Sequence, residues 1–200
     1  MVHTLIGDVI GSRAITDRAG AQSEIGRVLG EVNTLLTPLQ RLEPTVGDEF
    51  QGAFETLPDA TLAALLIRLG LLPGIDVRCG LGSGEVSVHD ASRAPLLQDG
   101  PGWWNARGAL EEMSVARRAA ARTWYVGPES ARVNPFLLTR DALVDRLSER
   151  GCRMLRLSLL GESQQAIATA EGISKSAVSQ QFARGISALR DAQLLFGKAE

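Results

Sequence analysis

Histidine and cysteine are scarce in this 200-residue chain, and lysine is missing from its first 150 residues. His3 and His89 are too few for a His-rich zinc site, and Cys79 and Cys152 stand at no metal-type or redox-type spacing, so both read as free thiols in a reducing cytoplasm. No run of about 18 apolar residues occurs, and Asp8 interrupts the stretch where a signal peptide needs unbroken apolarity; the expectation is a cytoplasmic chain without a membrane span or leader. The missing lysine reads as the base composition of the encoding genome. What remains, 44% hydrophobic residues and a net charge of −2, is the profile of a globular chain able to bury a core in one or two domains. Charge is uneven. Residues 1–150 hold 15 arginines against 19 acids, whereas residues 151–200 hold 6 basic and 4 acidic groups, so any contact with DNA belongs to the tail.

The segment 44–54 carries Asp48 and Glu49 behind Gly47, between short apolar runs supplied by Val46, Phe50 and Phe54. That pattern predicts a tight β-hairpin with acids at its tip, the glycine taking a positive φ. Two carboxylates on a rigid mount suit a divalent cation if a third acid joins them, and Asp8, at the end of the apolar run 2–10, is the candidate. The alternative for Asp8 is a cap on the following turn. Gly11-Ser12-Arg13 then offers backbone donors, a hydroxyl and a guanidinium, a set suited to phosphate oxygens.

Apolar residues recur at helical spacing from Ile25 to Leu36, giving a long amphipathic helix ended by Pro38, and a second helix opens at Leu57-Pro58-Asp59 and closes at Gly70 and Pro73-Gly74. In residues 75–84, Ile75, Val77, Cys79 and Leu81 share one strand face, leaving Arg78, Gly80 and Gly82 as an open floor beside the acids. Glycines so placed imply close approach of a ligand or of another backbone, or else a bent strand. After a loop ending in Pro95, Asp99-Gly-Pro starts a helix with Asn105 and Arg107 near its beginning, an anion clamp in outline, while Trp103 and Trp104 read as core or interface residues. Residues 123–126 read as a further strand. The order of elements predicts an α+β layer over a mostly antiparallel sheet.

The motifs Gly7-Asp8, Gly47-Asp-Glu-Phe-Gln51, Arg78-Cys-Gly-Leu-Gly82 and Asp99-Gly-Pro through Arg107 together resemble the SatD family of small bacterial proteins over most of the chain. More distantly the pattern is similar to the catalytic domain of class III nucleotidyl cyclases and other palm-type, ferredoxin-like folds. That resemblance implies metal-binding roles for Asp8 and Asp48, with magnesium or manganese, and a purine nucleotide as ligand near Ser12, Arg13, Arg78, Gly80, Gly82 and Arg107. The cyclase helix carries an asparagine four residues before an arginine. Here that position is Trp103, which puts transition-state stabilisation in doubt.

The C-terminal quarter predicts a helix over 141–150, a break at Gly151, and a helix-turn-helix over 164–184. Ile167 and Ala168 face inward from its first helix, Gly172 makes the turn, Ile173 plugs the corner, and Val178 and Phe182 pack the second helix back. Ser174, Lys175, Ser176, Ser179, Gln180 and Arg184 are left outside with side chains suited to phosphates and base edges. The segment 155–190 resembles the DNA-binding helices of sigma-factor region four. Apolar positions from Ile186 to Phe196 suggest a last helix that forms a dimer contact. The domain organisation expected is a cyclase-like unit over 1–130, a helical linker over 131–150 and an all-α DNA-binding unit over 151–200. The function expected is a homodimeric transcriptional regulator sensing a nucleotide or polyphosphate; the alternatives are a metal-dependent cyclase or related phosphoryl-transfer enzyme, and a degenerate palm serving as dimerisation platform.

Overall fold

The computed structural model describes residues 1–45, 47–90, 97–115 and 120–197. Val46 and the loop ending at Pro95 lie outside the described residues. The chain is α+β. A mixed five-stranded sheet has the order β2-β3-β1-β4-β7, and all its pairs are antiparallel except β4 with β7. The strands are β1 (Val2–Val9), β2 (Gln40–Pro44), β3 (Glu49–Phe54), β4 (Val77–Gly84) and β7 (Thr123–Val126), with a separate two-stranded ribbon of β5 (Ser87–Asp90) and β6 (Leu97–Asp99).

Strand alternation sends β1 to both faces. Leu5 and Val9 join Phe50, Phe54, Val77, Cys79 and Leu81 under helices α1 (Arg18–Leu36) and α2 (Leu57–Leu71), whereas Ile6 joins Ala53 beneath α3 (Pro101–Met113). Helix α1 buries Ile25, Val28, Leu29 and Val32 as its periodicity predicts, and the Asp17 carboxylate caps it by accepting from the Gly20 amide. Thr56 caps α2, which runs one residue past Gly70. That glycine is not a stop: a side chain there would meet Val28 Cγ1 at 2.9 Å, so its small size lets α1 and α2 approach.

Helix α4 (Ser130–Val144) follows β7, and the Asn134 amide both accepts from Tyr125 N and donates to Tyr125 O, satisfying the backbone of that edge strand. The predicted 141–150 helix and its break at Gly151 are displaced. Helix α5 (Glu149–Leu159) begins before the glycine because Ser148 Oγ accepts from the Gly151 amide and so caps it. Next come α6 (Gln164–Glu171), α7 (Lys175–Gln181), a π-helical turn over Phe182–Ile186 and α8 (Ser187–Leu195).

These last helices share the core of the sheet domain. Met154, Leu155, Ile167, Val178, Phe182, Ile186 and Leu189 belong to the same buried cluster as α1 and α2. The Arg140 guanidinium, 2% exposed as a residue, donates to Thr61 O, Thr123 Oγ1 and Gln193 Oε1 and pairs with Asp141, tying α2, α4, β7 and α8 together. Phe196 stacks on Phe136 with ring centroids 4.7 Å apart. The apolar residues 186–196 are thus satisfied largely within the chain, leaving Leu194 and Leu195 exposed, and the dimer contact expected from them loses its main argument.

Candidate functional site

Register brings the predicted polar residues together in two places rather than one. On the α3 face of the sheet, Asp8 stands opposite Glu49 across β1–β3 and opposite Arg78 across β1–β4. Arg78 donates to Asp8 through Nε at 3.1 Å and Nη2 at 2.6 Å. Arg107, reaching down from α3, donates to Glu49 through Nη1 at 2.6 Å and Nη2 at 2.7 Å. Each acid therefore holds a two-toothed guanidinium, the strongest of the common ion-pair geometries.

Asp48 lies elsewhere. Gly47 turns the hairpin at φ 79°, and Asp48 lines a crevice of about 250 Å³ together with Ser12, Arg13, Arg18 and Gln22 over an apolar floor of Val9, Ile15 and Ile25. Gly11, at φ 67°, leads into a single 3-10 turn over Ser12–Ala14, and Gln22 Nε2 donates to Gly47 O at 2.8 Å, which ties α1 to the hairpin tip. Neither Arg13 nor Arg18 has a carboxylate partner among the described residues. Two guanidinium groups against one carboxylate give this crevice a net positive charge suited to an anion.

The three acids expected as one cation site are accordingly not gathered: among the described residues no group of three or more His, Cys, Asp or Glu side chains is arranged to hold a metal ion. The reason is the pleat and the pairing. Asp8 and Glu49 point to the α3 face and are neutralised by arginine, while Asp48 sits beyond the strand end in the other crevice. As they stand, these residues do not fit a divalent metal.

Gly80 and Gly82 have another occupant than a ligand. A side chain at Gly80 would lie 2.2 Å from Ala106 O, and one at Gly82 would lie 2.3 Å from Ala106 N and Gly102 O, so the glycines admit the backbone of α3. Asn105 Nδ2 donates to Ser83 O at 2.9 Å and tethers the helix there. Trp103 is buried, at 7% exposure, and Trp104 is exposed, at 61%.

In the C-terminal helices, Gly172 turns at φ 64° between α6 and α7, Ser174 Oγ accepts from the Ala177 amide, and Ile167, Ala168, Val178 and Phe182 are buried. Ser174, Lys175, Ser176, Ser179, Gln180 and Arg184 all lie on the surface. Arg184 falls in the π-helical turn, and Gly185 at φ 139° ends the regular helix immediately after it. Glu171 anchors the pair to α5 by accepting from Arg153 at 2.9 and 2.8 Å, which lowers its carboxyl pKa.

Arg18 and Gln22 were not singled out by sequence reasoning. Their only signal is their spacing, one turn apart on the first turns of α1, and it is weak beside the apolar stripe of the same helix. The class these features define is an α+β protein with a mixed five-stranded sheet and a compact set of C-terminal helices. The chain belongs to the SatD family, which it matches over residues 3–118, from β1 through α3. No curated protein matches it.

Proposed function

We propose that the protein is a DNA-binding transcriptional regulator in which α6 and α7 act as a helix-turn-helix and the sheet domain senses a nucleotide or polyphosphate. The observation that carries the reading is the division of α7 and the π-helical turn after it: Val178 and Phe182 are buried while Lys175, Ser176, Ser179, Gln180 and Arg184 are exposed. A helix so mounted presents donors and acceptors of lengths suited to a major groove. The strand order β2-β3-β1-β4, with both connecting helices on one face, supports the palm-type, ferredoxin-like reading of the sheet. Ligand phosphates belong in the positive crevice at Ser12, Arg13 and Arg18.

No step is routed through a magnesium or manganese ion at Asp8, Asp48 and Glu49, because two of the three acids hold arginines. The same pairs count against the phosphoryl-transfer alternative. A homodimer is proposed on specificity grounds: a seven-residue α7 makes too few base contacts to select one genomic site alone.

Selection from a random duplex library, followed by competition binding, tests the reading. Gln180→Ala or Arg184→Ala is expected to cost about 1–3 kcal/mol of sequence preference, and Lys175→Ala to weaken all duplexes alike and flatten the salt dependence. Arg13→Ala combined with Arg18→Ala is expected to abolish the thermal shift given by nucleoside triphosphates or tripolyphosphate, with or without magnesium. Absence of sequence preference in the intact protein under every ligand condition overturns the regulator.

A further inference from the structure

Opposite charges of this chain find one another across its sheet: Arg78 holds Asp8, Arg107 holds Glu49, and Arg68 and Arg122 hold Asp76. At the crevice between α1 and the hairpin tip they do not. Arg13, Arg18 and Asp48 all line it, yet among the described residues none of these three side chains has an ion-pair or hydrogen-bond partner, so they do not bridge to one another. Asp48 is half-buried there, and its carboxylate has given up part of its hydration without gaining a partner in the protein.

The mount of that carboxylate is fixed. Gly47 sets the turn before it, Gln22 Nε2 holds Gly47 O at 2.8 Å, and Glu49, the next residue, already belongs to β3 and is held by Arg107. Arg18 and Gln22 stand one turn apart on α1, so one helix both carries a cation of the crevice and anchors the turn that bears its anion.

This arrangement separates the two ligand classes of the proposed function, on which the inference rests. A polyphosphate is anionic throughout, and the unpaired Asp48 carboxylate repels it. The crevice instead suits a ligand that is anionic at one end and carries N–H donors at the other. Its volume of about 250 Å³ lies below the roughly 300–1,000 Å³ of sites that enclose a whole small molecule, so it seats one part of a nucleotide, with the exposed arginines left for the phosphates. Val9, Ile15 and Ile25 give it an apolar floor, which suits the face of a base better than a hydroxylated sugar.

The chemistry of the carboxylate selects the base. An ionised carboxylate only accepts. Guanine offers it two adjacent donors, N1–H and the 2-amino group. Adenine sets the N1 lone pair beside its amino group, cytosine sets the N3 lone pair beside its own, and uracil flanks its single N3–H with carbonyls, so each of these places an acceptor against a carboxylate oxygen. We infer that the crevice selects a guanine nucleotide, Asp48 accepting from the N1–H and 2-amino edge, the base lying on Val9, Ile15 and Ile25, and the phosphates pairing with Arg13 and Arg18.

The test titrates GTP, ATP, 2′-deoxyGTP, xanthosine triphosphate and tripolyphosphate calorimetrically into the intact protein, with and without magnesium. GTP is expected to bind about tenfold or more tightly than ATP or xanthosine triphosphate, the scale of one two-toothed base contact. Binding of 2′-deoxyGTP is expected to match that of GTP, and tripolyphosphate to bind more weakly than either. Asp48→Asn puts an amide donor where the 2-amino group of guanine points. The variant is expected to melt as the wild type does without ligand, to lose about tenfold or more in GTP affinity, and to prefer xanthosine triphosphate, whose 2-oxo group accepts from that amide. A merely structural Asp48 would change all nucleotides alike. Arg13→Ala combined with Arg18→Ala is expected to weaken GTP and tripolyphosphate together. The guanine assignment is overturned, with the phosphate crevice left standing, if the wild type binds GTP and ATP equally, if tripolyphosphate binds as tightly as GTP, if 2′-deoxyGTP binds no better than ATP, which would give Asp48 to the ribose, or if Asp48→Asn still prefers GTP to xanthosine triphosphate. Both readings fall if no triphosphate binds at millimolar concentration or if the double arginine variant binds GTP normally.

Discussion

Asp76 shows how individual residues in this protein are governed by partners far away in the chain. Burial alone would raise its carboxyl pKa, but hydrogen bonds from Arg68 (2.8 Å) and Arg122 (2.8 Å) outweigh burial and hold it below its ordinary 3.8. The same Arg68 also pairs with Asp145, joining α2 to the end of α4. A carboxyl whose folded pKa is depressed contributes stability that is complete above the unfolded value and is lost as pH falls through the folded one. Stability is therefore expected to drop on acidification below pH 3.8, and Asp76→Asn to flatten that drop while costing about 1–3 kcal/mol at neutral pH. Urea midpoints measured from neutral pH to about pH 2.5 on both proteins check this. The Arg122–Asp76 and Arg68–Asp145 pairs were not legible beforehand, since their members are 46 and 77 positions apart. The Asp8–Arg78 pairing was hidden for the same reason, although both residues were singled out as ligand contacts.

At the scale of elements, the clearest case is the seating of α3 on β4. The alternate glycines of that strand were visible as a signal for close approach, and the structure assigns the approach to a helix backbone. Gly7 is a similar case: a side chain there would lie 2.1 Å from Phe50 Cζ, so the glycine before Asp8 makes room for an aromatic ring. Gly80→Ala is expected to cost about 1–3 kcal/mol or more, because the clashing atom, Ala106 O, is backbone that must shift with the whole helix. Gly108→Ala, in open space on the same helix, is expected to stabilise by about 0.5–1 kcal/mol through helix propensity. Thermal melts of the two variants side by side test the assignment, and equal effects would contradict it. Helices α6 and α7 were legible because their caps, turn glycine and i to i+4 packing are all local, but the π-helical turn that replaces the end of the second helix was not. The start of α5 was misplaced by weighing Gly151 above the Ser148 cap.

For the whole molecule, the shared core outweighs the expected division at residue 151. Helices α5 to α8 bury Met154, Leu155, Ile167 and Leu189 in the cluster that holds α1 and α2, and Arg156 bonds to Glu31 from across the boundary. A single cooperative thermal transition is expected, and a 1–150 fragment is expected to melt far lower or not fold, since it exposes the apolar surface that those helices cover. Two resolved calorimetric transitions in the intact chain would show separate cores instead. The sequence by itself determined strands β1, β3, β4 and β7, helices α1 to α3, the hairpin, the α6–α7 pair and membership of the SatD family, because propensity, caps and periodicity act over a few neighbouring residues. Only the tertiary structure decided that Asp8 and Glu49 hold arginines, that Asp48 opens into a separate crevice, that Gly80 and Gly82 admit α3, and that α8 buries its apolar face at home. Each of those outcomes depends on which distant segment arrives at a position, and that is set by strand register and helix packing rather than by local residue pattern.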